Sequence, residues 1–262
     1  MEKIMVDVND KFEFNMDICK DIDVEIIPNR IIFFTQNDNR DKLIYEVSYI
    51  LSEYIIEKYE VILLSNTLIS NYSHLKKSER NRIVEIAQNI IEGEENLIDK
   101  MFCIRRKNYI FRQLMDYLSC ENKIILEGFI EFRLKEYKKE LEKIITQAMD
   151  IYVTETEYNE FVNLLKYFVN IQDSKIDDVY VVHDEGSYKL YDKSNNDISY
   201  LYIEEMQEEI ISGDLSKEDI LLGALITISP KKIIIKKEAK KVLDSEILNT
   251  IINVFDDRIT IE

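Results

Sequence analysis

Apolar residues recur along this chain with two periods, and the switches between them mark out its elements. In residues 1–36 short apolar runs are punctuated by turn-forming residues. Ile4-Met5-Val6-Asp7-Val8 and Phe12-Glu13-Phe14 flank Asn9-Asp10-Lys11, while Val24-Glu25-Ile26-Ile27 and Arg30-Ile31-Ile32-Phe33-Phe34 flank Pro28-Asn29. Pro followed by Asn suits the two central positions of a turn, so the spacing predicts strands with a hairpin across Pro28-Asn29. After Asn39, a helix-capping candidate, the period lengthens. Leu43, Ile44, Val47, Ile50, Leu51, Tyr54 and Ile55 fall at three- and four-residue steps on one helical face. Glu60–Ser65 reads as a continuing or second short helix. Ser78 is placed to cap a helix carrying Ile83, Ile86, Ala87, Ile90 and Ile91 that ends near Gly93. Residues 95–119 are again helical in period, with Leu97, Met101, Ile104, Phe111, Leu114, Met115 and Leu118 expected inside.

The centre of the chain predicts one long helix from about Ile124 to Val153. Measured from Ile130, the residues Leu134, Tyr137, Leu141, Ile144, Ala148 and Tyr152 all lie within about 40°. Glu127 and Arg133 sit on opposite shoulders of that stripe. Phe129 and Phe132 lie far from it and are expected on a second contact surface, since leaving a Phe exposed forgoes roughly 1.5–3 kcal/mol. The next segment, 156–171, has so wide an apolar arc (Tyr158, Phe161, Val162, Leu164, Leu165, Phe168, Val169) that it reads as a central, buried helix. From Asp173 the pattern returns to strands: Val179–His183 and Tyr188–Tyr191 about Glu185-Gly186, then Ile198–Tyr202 as a third strand of a meander. A helix over 203–212 ending at Gly213 follows. A second helix opens at the capping box Ser216-Lys217-Glu218-Asp219 and is stopped by Pro230. A strand at 232–236, a helix over 244–255 and a last strand at 258–261 close the chain. The fold class expected is α+β: a mainly helical centre with N-terminal β-hairpins and a C-terminal mixed part. The division expected is 1–173 and 174–262, with one continuous unit as the alternative because no Gly, Pro or Ser linker separates them.

Composition narrows the chemistry. The chain has 262 residues, 46% of them hydrophobic, with only five Gly and two Pro. This composition permits a sizeable core and favours helices. The net charge of −17 repels phosphate backbones at long range, so nucleic acid is not the expected partner. Basic clusters nonetheless occur at Lys76, Lys77, Arg80 and Arg82, at Arg105, Arg106, Lys107 and Arg112, and through Lys231–Lys241. Their ordinary reading is a solvated face or an intramolecular partner for the acidic excess. Cys19, Cys103 and Cys120 match no metal-binding spacing and read as reduced thiols. The start, MEKIMVDVND, lacks the apolar run of a secretory signal, and no stretch approaches ~18 uninterrupted apolar residues, so a cytoplasmic protein without a membrane span is expected. His74 and His183 stand apart from any metal motif. No G-x-S-x-G, GxGxxG or GxxxxGK[ST] occurs, which argues against serine hydrolase, Rossmann and P-loop chemistry.

Two blocks carry a family signature. Leu126-Glu127-Gly128-Phe129 with Phe132-Arg133-Leu134 and Tyr137, and Glu157-Tyr158-x-Glu160-Phe161 with Leu164-Leu165-x-Tyr167-Phe168-Val169 and Gln172, resemble the YtxC-like family of sporulation proteins from spore-forming bacteria. So does Leu225–Ile235. The resemblance runs from about residue 95 and implies a bacterial cytoplasmic protein associated with sporulation. It implies no activity, cofactor or catalytic residue.

The candidate residues are therefore Glu127, Gly128, Phe129, Phe132, Arg133, Tyr137, Tyr158 and Glu160. The reading favoured is a non-catalytic interaction protein with a protein partner, in which Glu127 and Arg133 clamp two helices through a partly buried ion pair. Gly128 is expected to allow close approach of a neighbouring backbone, or else to lie at a helix start. The enzyme alternative is a metal-dependent hydrolase in which Glu127, Glu131, Glu157 and Glu160 meet beside Arg133 and Tyr158. A weaker alternative is nucleic-acid contact through Arg105, Arg106 and Arg112.

Overall fold

The computed structural model describes residues 2–9, 22–36, 39–93, 97–184, 186–199 and 216–262, without the side chains of 97–103. The fold is α+β, with two compact units, Met1–Thr154 and Glu155–Glu262.

In the first unit β1 (Glu2–Asp7), β2 (Asp23–Ile27) and β3 (Arg30–Thr35) form antiparallel pairs, and β4 (Lys123–Ile125) joins β1 in parallel, giving the order β2-β3-β1-β4. Alternation places Ile4 and Val6 of β1 and Ile31 and Phe33 of β3 in the core. The β2–β3 turn uses Asn29 at φ 61°, a left-handed conformation that Asn tolerates. Asp7 ties three strands together: Arg30 donates to it from Nε (2.6 Å) and Nη2 (3.1 Å), and Lys123 pairs with it at 2.9 Å. Led by the Arg30 bonds, these cations hold the Asp7 carboxyl down to about 2.

Helix α1 (Arg40–Tyr54) starts at Asn39, whose side chain accepts from Lys42 N. It packs along α4 (Leu97–Cys120) and over β1 and β3. Its predicted face is buried throughout. A wide π turn, Ile55–Tyr59, leads straight into α2 (Glu60–Asn71). The residue absorbed by such a turn rotates everything after it by about 100° relative to a straight α-helix, and π turns favour functional positions. The buried row of α2 is then Glu60, Leu64 and Leu68. Helix α3 (Lys77–Glu92) begins just before Ser78, with Glu79 accepting from Lys76 N, so Glu79 rather than Ser78 satisfies its first turn. It ends at Gly93 in the left-handed conformation. In α4 the buried row is Ile110, Leu114 and Leu118, while Ile104, expected inside, is 61% exposed.

The expected helix 124–153 is three elements: β4, α5 (Leu126–Arg133) and, after a break at Leu134, α6 (Lys135–Ile171). The predicted stripe survives the break, with Ile130, Leu134, Tyr137, Leu141, Ile144 and Ala148 all buried. Gly128 lies in the first turn of α5, and a Cβ there would meet only the Ile125 side chain at 3.9 Å. It admits no close backbone approach; the helix-start alternative is the one observed.

The second unit begins within α6 rather than after it. Its sheet has the order β6-β5-β7-β8, with β5 (Asp178–Asp184) and β6 (Ser187–Tyr191) as a hairpin and β7 (Lys232–Ile235) and β8 (Ile259–Ile261) parallel to β5 and β7 respectively. Helix α7 (Lys217–Ile228) opens with the predicted Ser216–Asp219 box and ends at Ser229, left-handed at φ 46°. The Ser229 hydroxyl donates to Val169 O (2.7 Å), fastening α7 to α6. A short helix, α8 (Lys237–Val242), occupies the lysine cluster that the sequence left as a charged surface, and α9 (Ser245–Phe255) lies where expected. Of the expected third meander strand, an isolated bridge pairs Asp197 with Tyr191. Ile198 and Ser199, expected to open that strand, are an irregular segment and a turn; strand 12–14, residues 200–202 of the third strand and helix 203–212 fall outside the described residues. The greatest departure is α6 beyond residue 155: Val162 and Val169 are buried, but the Phe161, Leu164, Phe168 and Ile171 side of the helix is 41–59% exposed.

Because Gly128 has no crowded neighbour and its φ is not left-handed, Gly128→Ala is expected to raise unfolding stability by roughly 0.4–1 kcal/mol through a less flexible unfolded chain. Urea denaturation checks this; a loss of stability would show a packing role for the glycine.

Candidate functional site

Two buried rows in the first unit each begin with a charged residue. Glu60 precedes Leu64 and Leu68 in steps of four, and Arg106 precedes Ile110, Leu114 and Leu118 in the same steps. A side chain in phase with such a row points inward. The two charges meet there. Arg106 Nη1 lies 3.1 Å from Glu60 Oε1 and 3.0 Å from Oε2, with the side chains only 8% and 9% exposed. Tyr137, on the buried stripe of α6, donates its hydroxyl to Glu60 Oε2. One carboxylate therefore joins α2, α4 and α6.

The electrostatics follow from burial. Loss of solvent pushes the Glu60 carboxyl above its ordinary range, against the pull of the Arg106 charge and the Tyr137 hydroxyl. Burial, then the neighbouring Glu60 charge, push the Tyr137 phenol far up, so it remains a donor at physiological pH. Arg106 Nε has no acceptor among the described residues.

Arg106 and Tyr137 form the floor of a cavity of about 490 Å³. Arg105, Tyr109 and Arg112 of α4 line it on one side, and Glu136 and Glu140 of α6 on the other. Its size falls within the usual 300–1,000 Å³ range of small-molecule pockets. Perturbed acids beside a cavity are also a common mark of functional sites.

A second polar group surrounds Glu127. Its Oε1 accepts from Asn9 N (2.8 Å) and from the Tyr59 hydroxyl (2.7 Å), tying the first turn of α5 to the end of β1 and to the π turn. Tyr59 and Glu60 are consecutive, so the last residue of the wide turn and the first of α2 supply the two polar clusters. The expected Glu127–Arg133 ion pair does not form. Arg133 is exposed and lies 5.6 Å from the Tyr117 ring centroid, and Phe129 meets the same ring edge-on at 5.6 Å. Phe129 is buried as expected, whereas Phe132 is 71% exposed and has no second surface. Glu131 pairs with Lys138 across the α5–α6 break. Tyr158 belongs to the second unit, where its hydroxyl lies 3.1 Å from Thr250 Oγ1 and accepts from Asn253 Nδ2 (3.2 Å). Glu157 and Glu160, on the same unit, are exposed. Among the described residues no group of three or more His, Cys, Asp or Glu is arranged to hold a metal ion, and no helix is long and apolar enough to cross a membrane.

Comparison with known proteins accords with the signature blocks. The model of the YtxC-like family matches residues 45–260, most of the chain. The chain belongs to the YtxC-like family. A curated relative, "Uncharacterized protein YtxC" of Bacillus subtilis (strain 168), is 27% identical over 216 residues, covering 80% of this chain and 74% of the relative. No solved structure matches. The YtxC-like match begins well before the signature blocks and takes in Tyr59, Glu60, Arg106, Glu127 and Tyr137.

The raised Glu60 carboxyl sets a pH dependence with a definite sign. The folded state holds its proton above the unfolded value of about 4.5, so stability is greatest below that value and falls as pH rises towards the folded value. Glu60→Gln removes this titration. Urea midpoints measured between about pH 5 and 8 are expected to fall less steeply in Glu60→Gln than in the native chain; parallel profiles would show that Glu60 titrates normally.

Proposed function

We propose that this YtxC-like chain is a sporulation-associated cytoplasmic protein that acts by binding another protein rather than by catalysis. The sporulation setting rests on the resemblance of the Glu127–Tyr137 and Glu157–Gln172 blocks. The observation that carries the binding reading is the outer face of α6. Phe161, Leu164, Phe168 and Ile171 follow one another at steps of three and four, each 41–59% exposed, with Val162 and Val169 buried on the opposite shoulder. Withdrawing such a side chain from water is favourable by roughly 1.5–3 kcal/mol, so an open row of four is a surface suited to a partner helix.

Charge selects the partner. Glu157 and Glu160 flank the start of the row, and the chain as a whole carries −17. The occupant that fits is an amphipathic protein segment with an apolar face and basic flanks. The candidate polar residues support a structural role instead: Tyr137 and Glu127 join helices, and Tyr158 is bonded to α9.

The test compares the native chain with Phe161→Ser/Phe168→Ser, both immobilised and offered cross-linked extracts of sporulating cells. A basic protein retained by the native chain and lost from a variant with unchanged circular dichroism is expected. Equal retention by both, retention by neither, or a self-association that the variant abolishes contradicts the assignment. Separately, a strain lacking the gene is expected to form fewer spores; an unchanged spore yield removes the sporulation setting without touching the binding face.

A further inference from the structure

We infer that the cavity between α4 and α6 in the first unit is a binding site for a small diphosphate-bearing molecule. Arg105, Tyr109 and Arg112 stand at positions i, i+4 and i+7 of α4, one face of the helix, and all three line the cavity. At 1.5 Å per residue the two arginines are separated by about 10 Å along the axis, with the tyrosine between them.

The arginines are available. Neither Arg105 nor Arg112 makes a hydrogen bond or ion pair with another described residue. The acids facing them are engaged elsewhere: Glu136 pairs with Lys139 at 2.9 Å and Glu140 with Lys143 at 2.7 Å, each on its own helix. Below them, the Arg106 side chain is more than nine-tenths buried, shares one carboxylate with Tyr137, and has an Nε without an acceptor among the described residues. An acidic chain thus concentrates three guanidinium groups around one concavity of about 490 Å³.

The ligand class follows from this arrangement. Guanidinium presents paired N–H donors that match phosphate oxygens two at a time. Two arginines set two turns apart, each able to take two oxygens, offer more donors than one phosphate fills in that paired geometry, whereas linked phosphates present oxygens to both along the helix face. Tyr109 offers a ring against which an attached planar or apolar group can lie. A cavity of this volume holds a small molecule and encloses no polymer.

Inorganic pyrophosphate is the probe, titrated into the full chain by isothermal calorimetry, with inorganic phosphate and a single-stranded RNA oligonucleotide alongside. Pyrophosphate is expected to bind more tightly than phosphate. Arg105→Ala and Arg112→Ala, both at exposed positions, are each expected to weaken it by about tenfold or more, the effect of losing a charge-assisted hydrogen bond. Thermal melts verify that both variants fold. No heat of binding at millimolar pyrophosphate, or binding that both variants retain, overturns the site. RNA binding tighter than pyrophosphate and steeply salt-dependent overturns it in favour of a nucleic-acid surface.

Discussion

The first unit depends on one carboxylate. Glu60 accepts from Arg106 and Tyr137 and so fixes the positions of α2, α4 and α6 with respect to one another. A charge withdrawn from water needs a partner of opposite sign and hydrogen bonds to its remaining lone pairs. Removing one member of such a group leaves the other uncompensated, at about 3–5 kcal/mol. That is a large fraction of the roughly 5–15 kcal/mol that separates folded from unfolded domains. Hydrophobic contacts along the three helices are non-directional, whereas the hydrogen bonds of this cluster are directional and are met in the observed alignment.

The placement of the cluster follows from the turn before it. The π turn at Ile55–Tyr59 sets Tyr59 towards Glu127 of α5 and Glu60 towards Arg106 of α4. Two adjacent residues thus reach two different helices. The Arg106 and Tyr137 side chains that complete the cluster also form the cavity floor, so the same contacts that hold the fold shape the concavity. The second unit has a separate core of its own, built on β5, β7, α7 and α9, and presents the open apolar row of α6.

Much of this was legible in the residues. The stripe from Ile130 to Ala148 identified the buried face of α5 and α6, and Asn39, Gly93 and Ser216 marked real helix ends. The break at Leu134 was hidden because the stripe continues through it. The wide apolar arc of 156–171 reads as a central, buried helix, yet it records two faces, one on the core and one open. Arg106 reads only as part of a basic cluster, solvated or paired with the acidic excess, and Glu60 only as the start of a short helix, so their pairing with each other is missed. Their signal was present: each lies four residues before a buried aliphatic row. Charge type alone concealed it, because the partner that makes burial affordable is 46 residues away. The Glu127–Arg133 clamp fails for a related reason, since a place on the shoulder of an apolar stripe says nothing about which distant donors, here Asn9 and Tyr59, compete for the carboxylate.

The central claim is that Glu60 and Arg106 act as one unit that sets helix register. A double-mutant cycle tests it most directly: urea unfolding of the native chain, Glu60→Leu, Arg106→Met and the double variant. The account predicts that each single substitution lowers stability by about 3–5 kcal/mol and that the double variant recovers most of the loss. Single losses that are small, or that simply add, would contradict it.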